Sequence, residues 1–184
     1  RQDANRLVAK IRPDFIAFNG DFIFSEDFVT GANTLWSQWL DDWQLTIGPA
    51  ATKGRIIPMV PAFGNHEASD DIYKLFDIPN VNTYHAFNFG GRLFRLYTLN
   101  TDLECTSTQL DWLTNDLQLH TGTVDEPSWK GIQYHIPFMP HGEYSPANSL
   151  ISCFTPHFQQ YKIRLAMEDH SHIQKVTWPV MPST

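Results

Sequence analysis

Four times in this chain a short apolar run leads into residues that can ligate a metal or hold a phosphate. Residues 15–18 run into Asn19-Gly20-Asp21, and residues 55–60 deliver Phe63-Gly64-Asn65-His66-Glu67. Residues 132–136 carry His135, and residues 163–167 end at Glu168-Asp169-His170-Ser171-His172. Runs of this length read as strands. Ligands of α/β folds collect at the carboxyl ends of strands, so four such ends predict one shared site.

Helical signals fill the intervals. Ala4, Leu7, Val8 and Ile11 form an i, i+3, i+4, i+7 stripe that Pro13 stops. Asn33 or Thr34 can cap a second helix with Leu35, Trp36, Trp39, Leu40 and Trp43 on one face, ended by Gly48-Pro49. The three tryptophans are expected to pack. Residues 84–89 and 92–99 flank Gly90-Gly91 as a β-hairpin, and Thr106-x-x-Gln109 is a capping box for a helix bearing Leu110, Leu113 and Leu117. Residues 139–156, rich in Pro, Ser and Asn, are expected to be a surface loop, and residues 158–161 the end of a helix. Asp41-Asp42 and Asp70-Asp71 read as solvated faces and helix starts. Asp102 reads as a turn residue near the site, and His85, His120 and His157 as surface or packing residues.

At 184 residues, 42% hydrophobic and 14% aromatic, the chain is expected to form a single domain over 1–184 with a substantial core. Its 20 acidic and 13 basic residues give a net charge of -7, so no broad basic field attracts nucleic acid or an anionic membrane. A phosphate would need local positive charge, which bound metal ions supply. No apolar run approaches the ~20 residues of a membrane-spanning helix. The start at Arg1 points to a processed product or fragment. Cys105 and Cys153 could pair, but their spacing decides neither pairing nor compartment.

Carboxylate, amide oxygen and imidazole together suit zinc, manganese or iron better than calcium. An aspartate can bridge two such ions. At roughly 3.5–4 Å apart, two ions polarise a phosphoryl group and activate a water, so hydrolysis of a phosphate ester follows as the reaction class.

The order Gly20-Asp21, Gly64-Asn65-His66-Glu67, His135, His170-Ser171-His172 resembles the calcineurin-like metallophosphoesterases, and Gly-Asn-His-Glu is similar to their purple acid phosphatase branch. The likeness extends through Ile11-Arg12-Pro13-Asp14-Phe15, Thr108-Gln109-Leu110-Asp111-Trp112-Leu113 and Lys175-Val176-Thr177-Trp178-Pro179. It implies a four-layer α/β/β/α sandwich of two mixed sheets and a pair of divalent or trivalent ions (iron, manganese or zinc). It further implies that Asp21 bridges them, that Asn65, His135 and His170 complete one ion's shell, and that His172 serves the other. His66 would hydrogen-bond the phosphate or protonate the leaving group, and Glu67 would orient His66. His141, in the loop past its strand, is a candidate substrate contact. Tyr134-His135-Ile136-Pro137 and the Trp178-Pro179 ending resemble secreted bacterial members, which implies an extracellular or periplasmic protein.

Three departures stand out. The family's further aspartate, from a strand ahead of the first helix, has no counterpart: Asp3 precedes Asp21 by only 18 residues. The first strand is therefore expected to be missing from this chain, with partial metal binding and little turnover as the result. Phe24 stands where purple acid phosphatases carry a tyrosine, so an iron–tyrosinate centre is not expected. Asp169 replaces the glycine usual before His-x-His. Taken singly, His135 could be a hydrogen-bonded core residue, Asn65 a turn former, and His170 with His172 a solvent face. The alternative function is a non-catalytic binding or structural module that retains the fold.

Overall fold

The computed structural model describes residues 2–24, 31–48, 54, 57–67, 69–142 and 144–178. Helix α1 (Gln2–Ile11) leads to β1 (Ile16–Phe18), and α2 (Ala32–Ile47) to β2 (Met59–Pro61) and α3 (Ser69–Leu75). The hairpin β3 (His85–Phe89) and β4 (Phe94–Thr98) precedes α4 (Ser107–Leu119), β5 (Trp129–Gln133), α5 (Asn148–Gln160) and β6 (Leu165–Met167). Strands β1 and β2 pair in parallel, Ile16 opposite Met59. The second sheet runs β3-β4-β5-β6, antiparallel in its first pair and parallel in the next two. It is the mixed sheet expected; the other is parallel over the described residues.

Strand alternation decides which side chains meet which layer. On β4 and β5, Tyr97 and Ile132 point at α4 and α5, and Tyr134 continues that face; they pack with Leu113, Leu117, Leu150 and Phe154 in one buried cluster. Gln133, on the opposite face, reaches the other sheet by donating from Nε2 to the Val60 carbonyl at 3.1 Å. Outside the parallel sheet, Phe18 and Phe22 meet Trp36, Trp39, Ile72 and Phe76. The layer order is helices, sheet, sheet, helices. The Trp36 indole also donates to Asp71 at 3.0 Å, tying α2 to the first turn of α3.

Several expected boundaries move. Helix α2 starts behind Gly31, which caps it without a side-chain hydrogen bond, so neither Asn33 nor Thr34 is the cap. Positions 55 and 56 of the second expected strand lie outside the described residues, as does Pro49. On α1 the stripe is split: Leu7 and Ile11 are exposed, Val8 is half-buried against Ala9, Ile47 and Ile57, and Asn5 and Ala9 are the buried residues where the helix packs on α2. The loop expected through Pro156 stops before α5, whose Leu150, Phe154 and Phe158 at i, i+4 and i+8 are held by the core. That stripe outweighs the backbone hydrogen bond Pro156 cannot make. Thr106 caps α4 by accepting from the Gln109 amide at 3.4 Å. The Gln109 side chain does not reciprocate; it bonds Asn100 at both its N–H and carbonyl instead.

His85 is buried at 2% exposure and donates from Nδ1 to the Thr83 carbonyl at 3.0 Å. Burial, opposed only by that bond, pulls its pKa down to about 4. The unfolded chain therefore binds more protons between pH 6.5 and 4. Stability from keeping this ring neutral is full above pH 6.5 and is lost as pH falls towards 4, to the extent of roughly 3 kcal/mol. Denaturant unfolding at pH 7 and pH 4.5 should show a smaller acid loss in His85→Gln than in the native chain. Equal losses would show that His85 does not carry this dependence.

Candidate metal centre

Asp21 follows β1, Asn65 follows β2, His135 follows β5 and His170 follows β6, all at the carboxyl ends of their strands. Strand β5 lies three residues earlier than residues 132–136, so His135 sits two residues beyond it rather than on it. Alternation carried past Gly131 and Gln133 still aims His135 into the space between the sheets, and its side chain is 1% exposed.

Two glycines let the β1 and β2 ends close together. A Cβ on Gly64 would lie 2.2 Å from the Asp21 nitrogen and 2.3 Å from Asp21 Oδ1, and one on Gly20 would lie 2.7 Å from the Gly64 backbone. Gly20 also has φ +96°, a conformation side chains resist. Asp21, His170 and His172 themselves adopt φ of 55°, 65° and 52°. Non-glycine residues in this region cost about 1–3 kcal/mol each and cluster at functional sites.

The polar atoms then converge. His135 Nε2 lies 3.2 Å from Asp21 Oδ2, 3.0 Å from Asn65 Oδ1 and 3.1 Å from His170 Nδ1. His135 Nδ1 lies 2.7 Å from the Asn19 carbonyl, which can only accept, so the ring proton sits on Nδ1. In the neutral ring Nε2 is then a lone pair facing two oxygens. Such a cluster of electron-rich atoms is relieved by a proton on Nε2 or by a cation at its centre. Asp21, His135 and His170 each offer one ligand atom, all within 4.8 Å of one another. The donor set fits a borderline divalent ion.

Electrostatics point the same way. Burial would raise the Asp21 carboxyl, but the His135 bond and the His135 and His66 charges outweigh it and hold it below the usual carboxylate range. Burial would lower His135, and Asp21 overrides that to raise it. Burial and the neighbouring His135 keep His170 below its ordinary value, as an unprotonated ligand requires. Asp169 donates its N–H to the His135 carbonyl at 3.1 Å, and its carboxyl is raised by burial and by the Asp21 charge.

The remaining candidates fall around this cluster. His66 Nε2 stands 4.0 Å from Asp21 Oδ2, and the His66 N–H donates to Asp21 Oδ1 at 3.3 Å. Phe24 packs on the His66 ring, tilted by 31° with centroids 4.1 Å apart, so the residue at the tyrosine position is a packing residue. Glu67 accepts from the Asp21 and Gly64 amides at 3.0 and 3.1 Å, binding the two loops together rather than the His66 ring. Burial pushes its pKa up to about 8. His172 is exposed and stands outside the grouped ligand atoms, and His141 is exposed on its loop. Asp102 occupies a turn, its N–H on the Asn100 side chain. Tyr144, unremarked in the sequence, lies 4.7 Å from the His170 ring. No local pattern marks it; only the fold brings it there.

Fold and site together define an α/β sandwich with a carboxylate, amide and imidazole centre at its strand ends. A family model for calcineurin-like phosphoesterases matches residues 1–172, and the chain belongs to that family. Among solved structures, a purple acid phosphatase from yellow lupin (Lupinus luteus) seeds aligns with TM-score 0.64 and 18% identity, over 92% of this chain and 33% of that one. The likeness is one of fold, and this chain spans about a third of the lupin protein's length. A dimetal phosphatase from Danio rerio aligns with TM-score 0.41 and 13% identity, over 92% of this chain and 58% of that one. No curated protein matches the chain.

Proposed function

We propose that the chain is a metal-dependent phosphoesterase that hydrolyses a phosphate monoester or diester at a dinuclear site. The observation that carries this is the convergence of Asp21, Asn65 and His170 on His135 Nε2. Family membership supports the phosphate ester as substrate. When bound, two ions of iron, manganese or zinc would activate a water and polarise the phosphoryl group.

The chain's own residues supply position and protons. Asp21, held ionised, offers Oδ2 to the centre, while its Oδ1 is anchored by the His66 amide. Asn65, His135 and His170 would complete one ion's ligands, and His172 would serve the second. His66, beside Phe24 and Asp21, would bind the phosphate or protonate the leaving oxygen, a role its nearness to Asp21 supports. His141, exposed on the loop past β5, would be a substrate contact. The chain would act as one domain, and the Cys105–Cys153 disulfide supports an extracellular or periplasmic location.

One observation favours a second reading, a cation-binding module without turnover: exposed His172 leaves a ligand group sufficient for one ion among the described residues. Calorimetric titration with Mn²⁺ or Zn²⁺, beside hydrolysis of p-nitrophenyl phosphate, separates the two. Two ions per chain with turnover favour the enzyme; one ion without turnover favours the module. Asp21→Asn and His135→Ala should each lower cation affinity and turnover by more than the roughly 10- to 100-fold that outer-shell contacts carry. Full activity in either variant removes the assignment.

A further inference from the structure

We propose that Glu168 is the positioning residue that sets the distance between His135 and His170. The β5–β6 ladder, paired through Gln133 and Met167, continues past its last strand residues: the Tyr134 N–H donates to the Met167 carbonyl at 3.1 Å and the Asp169 N–H to the His135 carbonyl at 3.1 Å. Beyond His135 and Asp169 the two segments part, and backbone pairing alone does not fix where His170 goes.

The Glu168 carboxylate fastens that turn. Its Oε1 accepts from the Tyr134 hydroxyl at 2.7 Å and from the Phe138 N–H at 3.1 Å, so one oxygen grips the chain on both sides of His135. Its Oε2 pairs with the Lys175 ammonium, which also donates to the Met139 carbonyl at 2.6 Å. Tyr134 is buried and stacks on Phe138 with centroids 4.2 Å apart, which fixes the direction of its hydroxyl. Glu168 precedes His170 by two residues, so whatever holds its carboxylate to residues 134 and 138 holds His170 towards His135.

The pairing is chemically specific. Side chains of Glu168 and Lys175 are only 15% and 26% exposed, and a carboxylate so enclosed stays put only where its donors are fixed. None of its contacts is with Asp21, Asn65 or either histidine ring. It therefore acts through the backbone of the two histidines and not as a ligand.

The proposal rests on the reading that His135 and His170 hold a cation, and two readouts keep the two apart. In the metal-free protein, the imidazole nitrogen resonances of His135 and His170 should shift in Glu168→Ala while those of His85 do not. In titrations with Mn²⁺ or Zn²⁺ alone, Glu168→Ala should bind about 10- to 100-fold more weakly. Glu168→Gln keeps an acceptor for Tyr134 and Phe138 and should recover most of that affinity, an outcome that general destabilisation would not give. Should Glu168→Ala fail to fold, Tyr134→Phe, which removes one donor and little volume, should reproduce the histidine shifts in smaller degree. Unchanged resonances in the folded variants overturn the proposal. Shifted resonances in a protein that takes up no ion uphold the positioning and refute the metal reading.

Discussion

Replacing Gly64 with alanine is expected to abolish cation binding at the Asp21–His135–His170 cluster, with at least a ~100-fold loss of affinity for Mn²⁺ or Zn²⁺. The added methyl would stand 2.2 Å from one Asp21 atom and 2.3 Å from another, and the nearer is backbone. A flexible side chain could swing aside; the β1 end cannot, because the Glu67 carboxylate holds the Asp21 and Gly64 amides together. The loops must part, taking Asp21 away from His135. Overpacking of this kind also costs about 1–3 kcal/mol of stability. Titration calorimetry, beside circular dichroism to show retained helix, tests it. A Gly64→Ala protein that binds the ion as tightly as the native chain would show that the close approach does not govern the site.

Breaking the Cys105–Cys153 bridge is expected to cost about 4 kcal/mol, from the loop-closure entropy of the segment it spans. The bridge joins positions 48 residues apart with Cα atoms 6.3 Å from each other. It fastens the turn ahead of α4 to α5, the two helices that share the cluster around Leu113 and Phe154. At roughly 2–4 °C per kcal/mol for a chain this long, the double Cys105→Ser, Cys153→Ser variant should unfold some 8–16 °C lower, on the order of the entropic cost. Native protein under reductant should match it. Coincident melting of oxidised and reduced protein would remove both the stabilising role and the support that the bridge lends to an oxidising compartment.

The strand-end residues were legible because glycine turns with Asp, Asn and His beside them have few other uses after an apolar run. Strand limits were less so. Residues 134–136 are as apolar as those that form β5, and only the pairing of Gln133 with Met167 and Thr98 fixes the last regular strand position. Helix α5 was hidden by Pro156 and by the polar composition around it, though its Leu150, Phe154 and Phe158 stripe was present. The face that α1 buries depends on α2, which no local period reports. The role of His172 came from the family likeness alone, and strand alternation gives it no support, because both His170 and His172 have positive φ. The placement of Tyr144 and the role of Glu168 arise from contacts between segments 26 and 34 residues apart, for which local sequence holds no signal.

The two-sided layout of β5 has a consequence for how such a chain can change. One flank of the strand and its two-residue continuation belongs to the helical shell through Ile132 and Tyr134, the other to the inter-sheet space through Gln133 and His135. Repacking beneath α4 and α5 can proceed by exchange of even-numbered side chains while the odd-numbered row stays untouched. Mutational drift in the shell and selection on the chemistry thus travel along separate tracks of a single strand, and Tyr134, anchored to Glu168, is the sleeper that ties the two rails.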